Sequence, residues 1–434
     1  MPDPGFPNRK IIRASLVFLA VYAAVLTIYL GLTSGAGVPF HLQGTAADPA
    51  TFLSPAQLDK SLNYSVLQNG IFFIGYPWEW VFYIILLFSG TAKRRQERWA
   101  SGRLPGIVRL AGFVLWLQAL SWIVFLPLRA ASFALSREFG ISVQSVGGWL
   151  KDRAVDFGIG YAVLLLTTAV GFWFIRRGGR WWLKLWLLSV PFTIFLMYIQ
   201  PVVIDPLYNQ FSRLSDPELE QDILQLAAKA DIPADRVYEV RMSSKTNALN
   251  AYVNGIGSSL RIVLWDTTLN QMNREEIMLI MGHEMGHYVM HHLVWSALGS
   301  VAASFVMLWI GSRIYVWMIA RFGQRIGVRR PHDMAGLPLI LLLASLFSFA
   351  VSPLANAVSR HAELAADRYA YELIGSSAAA VTMHQKLAAS SLSHIHPPAL
   401  VRWFRMTHPS TLERIVDAQR YHSPQTSGRL QQTD

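Results

Sequence analysis

Two histidines and a glutamate stand close together in residues 281–292, which read MGHEMGHYVMHH. His283 and His287 are four residues apart, so on a helix both imidazoles leave the same face and can reach one tetrahedral zinc ion. Glu284, next to the first histidine, can then take the proton from a zinc-bound water. This His-Glu-x-x-His pattern predicts the centre of a zinc-dependent peptidase.

A chance match is the alternative interpretation, because the chain contains 12 histidines. An apolar helix disfavours two stray imidazoles and a carboxylate unless they have a function, which favours the metal site. A metzincin would place glycine at position 290 and histidine at 293, and Met290 and Leu293 exclude that class. We interpret His291 and His292, on the same helix, as neighbours of the site or residues of the membrane interface and not as ligands.

A third ligand must come from histidine or a carboxylate, since the chain has no cysteine. A catalytic zinc needs three protein ligands and one open position. Glu363 is the candidate, and Asp367, four residues later on the same helical face, can accept a hydrogen bond from the far nitrogen of a ligand imidazole. The alternative is a solvated helix start in which Arg360 and Glu363 form a surface pair. Because the His-Glu-x-x-His pattern is also present, we favour Glu363 as the third zinc ligand, with one zinc ion per chain.

The elements that carry these residues follow from the surrounding pattern. Asn273 is a good N-cap, and Glu276 three residues later completes a capping box, which predicts that the histidine helix begins there. The acid-rich residues 217–231 are expected to be helical. Residues 250–254 and 261–265 are strand-like and are joined by a glycine-rich turn at 255–259, which predicts a β-hairpin.

The rest of the chain is typical of a membrane protein. Hydrophobic residues make up 53% of the 434 residues and charged residues 15%, against about 25% charged in soluble proteins. Seven apolar blocks approach the roughly 20 residues that span a bilayer as a helix. They cover residues 11–32, 66–90, 107–128, 158–175, 181–203, 293–320 and 336–358. We therefore expect a mainly α, polytopic membrane protein whose gluzincin-like zinc peptidase domain contains a small β-hairpin or sheet.

Three segments are predicted: an N-terminal membrane domain of five helices (residues 1–203), a zinc metallopeptidase domain with two further membrane helices (204–420) and a disordered tail (421–434). The net charge of +11 is concentrated in short loops between apolar blocks and is not accompanied by a nucleic-acid-binding motif, so nucleic acid is excluded as a partner. The basic loops near Arg94, Arg176 and Arg329 alternate with less basic ones. The positive-inside rule then places the N-terminus in the cytoplasm and the peptidase domain outside.

Several short motifs occur in a shared order along the chain. They are FLPL at 125–128, EFGI at 138–141, WLKD at 149–152, IDPLYN at 204–209, NAYVNG at 250–255, RIVLWDT at 261–267, N-x-x-S-R-x-x-E-x-x-A-D at 356–367, and THP at 407–409 with ERI at 413–415. With these motifs, the chain from residue 107 to 415 resembles the integral membrane zinc proteases of the CaaX prenyl protease 1 family.

The resemblance implies zinc on His283, His287 and Glu363, with Glu284 as the general base. It also implies that Asn250 and His408 contact the substrate backbone or the developing oxyanion, and that the membrane helices enclose a large chamber. Arg360 and Asp367 belong to the family motif and are expected around the ligands.

The substrate is expected to be a membrane-associated or CaaX-type (prenylated) polypeptide. The strand with Ala251 and Tyr252, if it is an edge strand, can bind such a peptide in extended form by adding it to the sheet. The oligomeric state is left open.

Two features separate this chain from the eukaryotic members, which process prenylated proteins on the cytosolic side. The basic loops place the peptidase domain outside, and the lack of cysteine fits a bacterial protein of the cytoplasmic membrane. In that setting the substrate can be another membrane or envelope polypeptide. A membrane quality-control protease of the HtpX type is the alternative enzyme, although about seven spans favour the CaaX type. A zinc-binding scaffold or transporter is the non-enzymatic alternative, and the presence of Glu284 argues against it.

The membrane orientation can be tested with reporter fusions. A reporter fused after Asp434 is expected to score as extracytoplasmic, and one inserted in the basic loop at Arg329 as cytoplasmic. A cytoplasmic score at Asp434 would contradict the orientation deduced from the loop charges.

Overall fold

The computed structural model describes residues 6–35, 37–100, 104–255 and 260–421. Seven helices are long and apolar enough to cross a membrane, as predicted. They are α1 (Phe6–Thr33), α2 (Pro55–Phe88), α4 (Gly106–Glu138), α5 (Val146–Arg177), α6 (Trp181–Ile199), α11 (His292–Ile326) and α12 (Leu337–Ile374), and a shorter helix, α3 (Thr91–Ala100), follows α2.

Several of these helices are longer than the apolar blocks that predicted them. Helix α2 begins at Pro55, where Ser54 and Gln57 form a capping box, and not at residue 66. Helix α5 begins at Val146 behind the N-cap Ser145, 12 residues before its apolar block. Hydropathy detects only the part of a helix that meets lipid, and it misses the polar turns that project beyond the bilayer.

The peptidase part of the chain contains short helices around a sheet. Its helices are α7 (Asp205–Tyr208), α8 (Pro217–Lys229), α9 (Asp266–Gln271), α10 (Arg274–Val289), α13 (Ala380–Ser391), α14 (Ala399–Phe404) and α15 (Thr411–Arg420). Helix α6 continues through a π-helical turn, Gln200–Ile204, directly into α7. The domain boundary expected at 203–204 therefore falls inside a continuous helical stretch.

Four strands form one mixed sheet in the order β1 (Phe211–Arg213), β2 (Val237–Val240), β4 (Arg261–Trp265) and β3 (Ala251–Asn254). Strands β3 and β4 pair antiparallel, as the predicted hairpin requires, and most of its turn (residues 256–259) lies outside the described residues. Strands β1 and β2 were not predicted. Because β2 pairs in parallel with β4, β3 lies at the edge of the sheet.

Helix α12 connects two separate hydrophobic cores. Near its start, Leu337, Leu339 and Leu342 pack among the membrane helices, whereas Ala370 and Leu373 near its end pack with the sheet, α8 and α10. With 38 residues the helix is about 57 Å long, nearly twice the hydrocarbon thickness of a bilayer. The helix therefore crosses the membrane and continues into the peptidase domain.

Polar contacts also fix the peptidase domain on the membrane helices. Lys245, in the loop after β2, forms a 2.8 Å ion pair with Asp152 of α5 and donates a hydrogen bond to the carbonyl of Tyr208. Ser142, between α4 and α5, forms a β-bridge with Thr246. These contacts place the loop between α4 and α5 at the peptidase end of the membrane bundle.

The opposite end of the bundle carries basic loops. The amide of Asn8 donates to the carbonyl of Arg325, and the side chain of Lys93 lies directly against Gly327. Gln96 of α3 accepts a hydrogen bond from the backbone N–H of Ala335. The N-terminal helix, the basic helix α3 with Arg94 and the loop at Arg329 thus meet at one end, which is part of the grouping on which the predicted orientation depends. The tail expected to be disordered lies, beyond Tyr421, outside the described residues.

Close packing of α10 against α12 can be tested at a glycine. A Cβ atom on Gly286 would lie 3.0 Å from the ring of Tyr369 and 3.3 Å from the Cα atom of Ala366. Gly286→Leu should therefore push the helices apart and lower the free energy of unfolding by about 1–3 kcal/mol, which is measured as a lower Tm. Because the ligand residues move apart with the helices, the protein should also lose bound zinc.

The matched control is Gly299→Leu on α11, where an added Cβ atom meets nothing within 4 Å. A Gly286→Leu protein with the Tm and zinc content of Gly299→Leu would show that this close approach is not needed.

Candidate active site

The two histidines and the glutamate converge on one point. His283 and His287 lie on α10, which begins with the predicted Asn273–Glu276 capping box, and Glu363 lies on α12. The Nε2 atoms of the histidines are 3.1 Å apart. His283 Nε2 is 3.2 Å from Oε2 of Glu363, and His287 Nε2 is 3.4 Å from its Oε1. The structure thus brings together all three residues predicted as ligands.

This triangle has the dimensions of a zinc site. Tetrahedral bonds of about 2.0–2.1 Å to nitrogen and oxygen give ligand–ligand edges of about 3.3–3.4 Å. The two imidazole nitrogens are 3.1 Å apart, and each lies 3.2–3.4 Å from one oxygen of Glu363, Oε2 for His283 and Oε1 for His287. Among the described residues, no donor makes a hydrogen bond of suitable geometry to the buried Oε2 of Glu363, although Nε2 of His283 lies 3.2 Å away. A buried carboxylate oxygen without a partner is costly, and coordination of a cation would satisfy it. The donor set of two imidazoles and a carboxylate fits zinc.

A second carboxylate orients the first histidine. Asp367 lies one turn after Glu363 on α12, and its Oδ1 atom is 2.8 Å from Nδ1 of His283. A hydrogen bond here fixes the tautomer that leaves Nε2 free for a metal. Burial alone would lower the pKa of His283, but Asp367 and Glu363 outweigh it and raise this pKa to about 10. The surroundings therefore favour a positive charge at this point.

Asp367 is itself held by an arginine from a third helix. Arg414 of α15 donates two hydrogen bonds to the two oxygens of Asp367, at 2.8 and 2.6 Å. Such bidentate pairs are among the stronger and more directional interactions in proteins. The sequence motif at 413–415 contained Arg414, but nothing in the sequence pointed to Asp367 as its partner.

Arg360 and His292 have contacts of different kinds. Arg360, expected around the ligands, instead donates to the carbonyls of Arg402 and Met406 and so holds the segment that leads to His408. The Nδ1 atom of His292 is 2.8 Å from Nδ1 of His287. His292 is therefore a direct neighbour of a candidate ligand, but it reaches it from the first residue of α11 and not from the same helix as expected, because α10 ends at Val289 and His291 adopts a left-handed conformation between the two helices.

Glu284 lies beside the ligand triangle and faces a cavity. The cavity has a volume of about 490 Å³, and Glu284 and His283 form part of its wall. Burial raises the pKa of Glu284 above its ordinary value, and the neighbouring His283 and His287 oppose that shift. A carboxylate with a raised pKa is better suited to accept a proton and later return it near neutral pH.

His408 and Asn250 line the same cavity from two other directions. His408, in the loop before α15, has its Nε2 atom 3.4 Å from Oε1 of Glu363, and its Nδ1 atom lies 2.9 Å from the hydroxyl of Thr407. The backbone of Asn250 is fixed by hydrogen bonds with Thr268, whereas its side chain is exposed to the cavity. Both side chains can donate to an oxygen that develops negative charge.

The edge strand β3 borders this cavity. Ala251 lines it, but Tyr252 does not. Tyr252 lies near Asp205 and Arg261, and burial raises its pKa to about 12. Successive strand residues face opposite sides, so Ala251 is the one of the two whose side chain faces the site. Strand β3 pairs with β4 on one side, and the backbone of Val253 on β3 makes a hydrogen bond with Glu284.

Two family models together match most of the chain. The model described as CAAX prenyl protease N-terminal, five membrane helices, matches residues 40–210, and that of peptidase family M48 matches residues 213–422. The boundary between them falls a few residues after the helical stretch formed by α6 and α7.

Relatives match over nearly the full length. An uncharacterized metalloprotease, YhfN, of Bacillus subtilis is 44% identical over 414 residues, which is 95% of this chain and 97% of that protein. A CAAX prenyl protease 1 homolog of Arabidopsis thaliana is 29% identical over 377 residues, covering 82% and 84% of the two chains. The crystal structure of S. mikatae Ste24p has the same fold, with a TM-score of 0.77 at 22% identity over 96% of this chain and 100% of that one.

Metal content tests the role of Glu363. Purified protein is expected to contain about one zinc ion per chain, and Glu363→Ala should lower its zinc affinity sharply because only two ligands remain. Plasma mass spectrometry on protein dialysed at a series of free zinc concentrations gives the affinity. Glu372→Ala, a change at another glutamate of α12, is the control. Wild-type zinc affinity in Glu363→Ala would remove Glu363 from the ligand set.

Proposed function

The chain belongs to peptidase family M48, as a membrane metalloprotease related to the CAAX prenyl proteases, and on that premise we propose that it is a zinc-dependent endopeptidase of membrane-associated or lipidated polypeptides. The observation that carries the proposal is the triangle of His283, His287 and Glu363 beside Glu284. We assign one zinc ion per chain to this triangle. A zinc ion there supplies Lewis-acid chemistry that makes water nucleophilic near neutral pH.

Glu284 is the proton carrier in this mechanism. It stands next to a ligand histidine but outside the ligand triangle, so its carboxylate is free to accept a proton from the attacking water. The water oxygen bonds to the carbonyl carbon of the substrate, and the carbon–nitrogen bond then breaks. Glu284 returns the proton to the nitrogen of the leaving amine. The raised pKa of Glu284 makes its carboxylate a better base for the first of these transfers.

His408 and Asn250 stabilise the charge on the carbonyl oxygen during this step. Their side chains border the cavity from the loop before α15 and from the start of β3. An imidazole N–H and an amide N–H that are oriented before the reaction begins stabilise this negative charge more than water does, because water molecules must reorient as the charge develops. Arg360 supports His408 indirectly, through the carbonyls that it holds.

The substrate lies beside the edge strand in an extended conformation. Strand β3 pairs on one side only, so its other side can add a peptide strand. The cavity is also lined by the membrane helix α2, including Tyr64 and Asn69. A peptide that reaches the site is therefore close to the membrane, which favours membrane-associated substrates. The related proteins named CAAX prenyl protease make a lipidated polypeptide the first class to test.

We place the protein in the cytoplasmic membrane of a bacterium, with the peptidase domain outside. The relative from Bacillus subtilis supports the bacterial setting. The basic end of the bundle, opposite the peptidase domain, supports the orientation under the positive-inside rule.

Removal of the general base gives the sharpest test of the mechanism. Glu284→Gln keeps the size of the side chain but cannot accept a proton, so peptidase activity should fall by about a hundred- to ten-thousand-fold. Zinc content and Tm should stay close to those of the unaltered protein. Turnover is measured with a fluorogenic prenylated peptide and with its unprenylated form.

Glu275→Gln, at an exposed glutamate in the first turn of the same helix, is the matched control and should keep full activity. Comparison of new protein N-termini in cells with the unaltered protein and with Glu284→Gln would reveal native substrates. Substantial activity in Glu284→Gln would refute the mechanism.

A further inference from the structure

One arginine in the wall of the active-site cavity has no acidic partner. Arg405 follows α14 and lines the cavity. Its Nη1 atom donates to Oδ1 of Asn69 on α2, and its guanidinium carbon lies 5.3 Å from the ring centre of Phe72. Within the described part of the chain, no carboxylate oxygen lies within 4 Å of its nitrogens.

Neighbouring arginines are bound differently. Arg414 pairs with Asp367, Arg402 with Glu413 and Arg368 with Asp417. Within the described residues, Arg360 and Arg405 are instead bound to neutral oxygens, and of these two only Arg405 lines the cavity. Burial lowers the pKa of Arg405, and the nearby Tyr64 opposes that shift.

The cavity itself offers no compensating charge. Among the described residues that line it, Glu284 is the only carboxylate, and the mechanism already uses it for proton transfer. A guanidinium remains protonated at any physiological pH, so Arg405 adds a lasting positive charge to the cavity. A buried charge normally finds a counter-charge. Arg405 is half-buried, and a ligand that enters the cavity can supply this counter-charge.

We propose that Arg405 binds a carboxylate of the polypeptide substrate, an inference that depends on the peptidase function proposed above. A guanidinium has five N–H donors in a planar fork, and Asn69 accepts from one of them. The others can bind a carboxylate through two parallel hydrogen bonds. Asn69 is buried on α2, so it holds the fork in one orientation.

Chain geometry sets the position of this carboxylate on the substrate. Arg405 precedes His408 by three residues, which limits the distance between their Cα atoms to about 11 Å. His408 reaches the ligand triangle, with its Nε2 atom 3.4 Å from Glu363. An extended peptide advances about 3.3 Å per residue. With the reach of the arginine side chain added, the bound carboxylate therefore lies within about five residues of the bond that is cut.

Two groups on a polypeptide carry a carboxylate: the C-terminus and an acidic side chain. If the C-terminus binds, the enzyme removes a short peptide from the end of its substrate. If an acidic side chain binds, it cuts inside a chain next to an acidic residue. In both cases Arg405 would determine which substrates the enzyme binds. The two cases differ in which peptides are cleaved.

Three matched sets of internally quenched heptapeptides separate these cases. One set ends in a free carboxylate, the second ends in an amide, and the third ends in an amide but contains one glutamate. With zinc-loaded protein in lipid nanodiscs, a carboxylate-containing set should show a KM about 10- to 100-fold lower than the neutral set, because hydrogen bonds to charged groups are strong. The set that is favoured identifies the source.

Arg405→Gln should abolish this difference by raising KM for the favoured set, with little change in kcat or in zinc content. Arg405→Lys keeps the charge but loses the fork, and it should recover part of the difference. Arg402→Gln is the control, since Arg402 is exposed, lies three residues away and does not line the cavity. Equal KM values for all three sets with the unaltered protein, or an equal effect of Arg405→Gln on all sets, would overturn the proposal.

A binding measurement keeps this test separate from the peptidase function. Zinc-loaded Glu284→Gln is titrated with the same peptides, and Kd is compared for the acid and amide forms. A preference for the carboxylate that disappears in Glu284→Gln/Arg405→Gln supports the proposal even if no peptide is cleaved. Equal Kd values overturn it. Failure of the unaltered protein to cleave any peptide would instead count against the proposed function.

Discussion

The close contact between α10 and α12 is the constraint on which the candidate site depends. Two candidate ligands lie on one helix and the third on the other, and their atoms must meet within about 0.2 Å of ideal geometry to bind zinc. Gly282 and Gly286 allow the approach, because added Cβ atoms would lie 3.0–3.3 Å from Tyr369, Ala366 and Ala370. Bulkier residues there would separate the helices and the ligands with them. The hydrogen bond between Asp367 and His283 crosses the same contact, so helix packing and ligand orientation are coupled.

Helix α12 makes that contact part of a larger arrangement. Its first turns pack in the membrane core, and Glu363 lies about 39 Å further along, beyond the hydrocarbon thickness of a bilayer. The cavity next to Glu363 is bordered by α2 on the membrane side and by β3 and α10 on the peptidase side. Neither part of the protein forms this cavity alone. A substrate at the site is consequently in contact with both, which is the physical basis for expecting a substrate held at the membrane.

Local patterns predicted much of this. The capping box at Asn273 and Glu276, the helix with His283 and His287, the pairing of β3 with β4 and the seven spans all depend on residues close together in sequence. Their physical causes act over one or two turns of helix or over adjacent strands. Strands β1 and β2 were missed because each has only three or four residues and is stabilised by partners elsewhere in the sheet. The roles assigned to the site residues stay predictions, although the structure brings the candidate ligands together.

By itself, the sequence determined the class of protein and which residues are candidates for its chemistry. A chain that is 53% hydrophobic with apolar blocks of membrane length must place helices in lipid, and two histidines four residues apart on a helix share one face whatever surrounds them. Tertiary structure alone decided which distant residues complete the site. Arg414 reaches Asp367 across 47 positions, and Arg405 reaches Asn69 across 336. No periodicity records such pairs, because helix packing and loop closure bring them together, and these depend on the shape of the whole core.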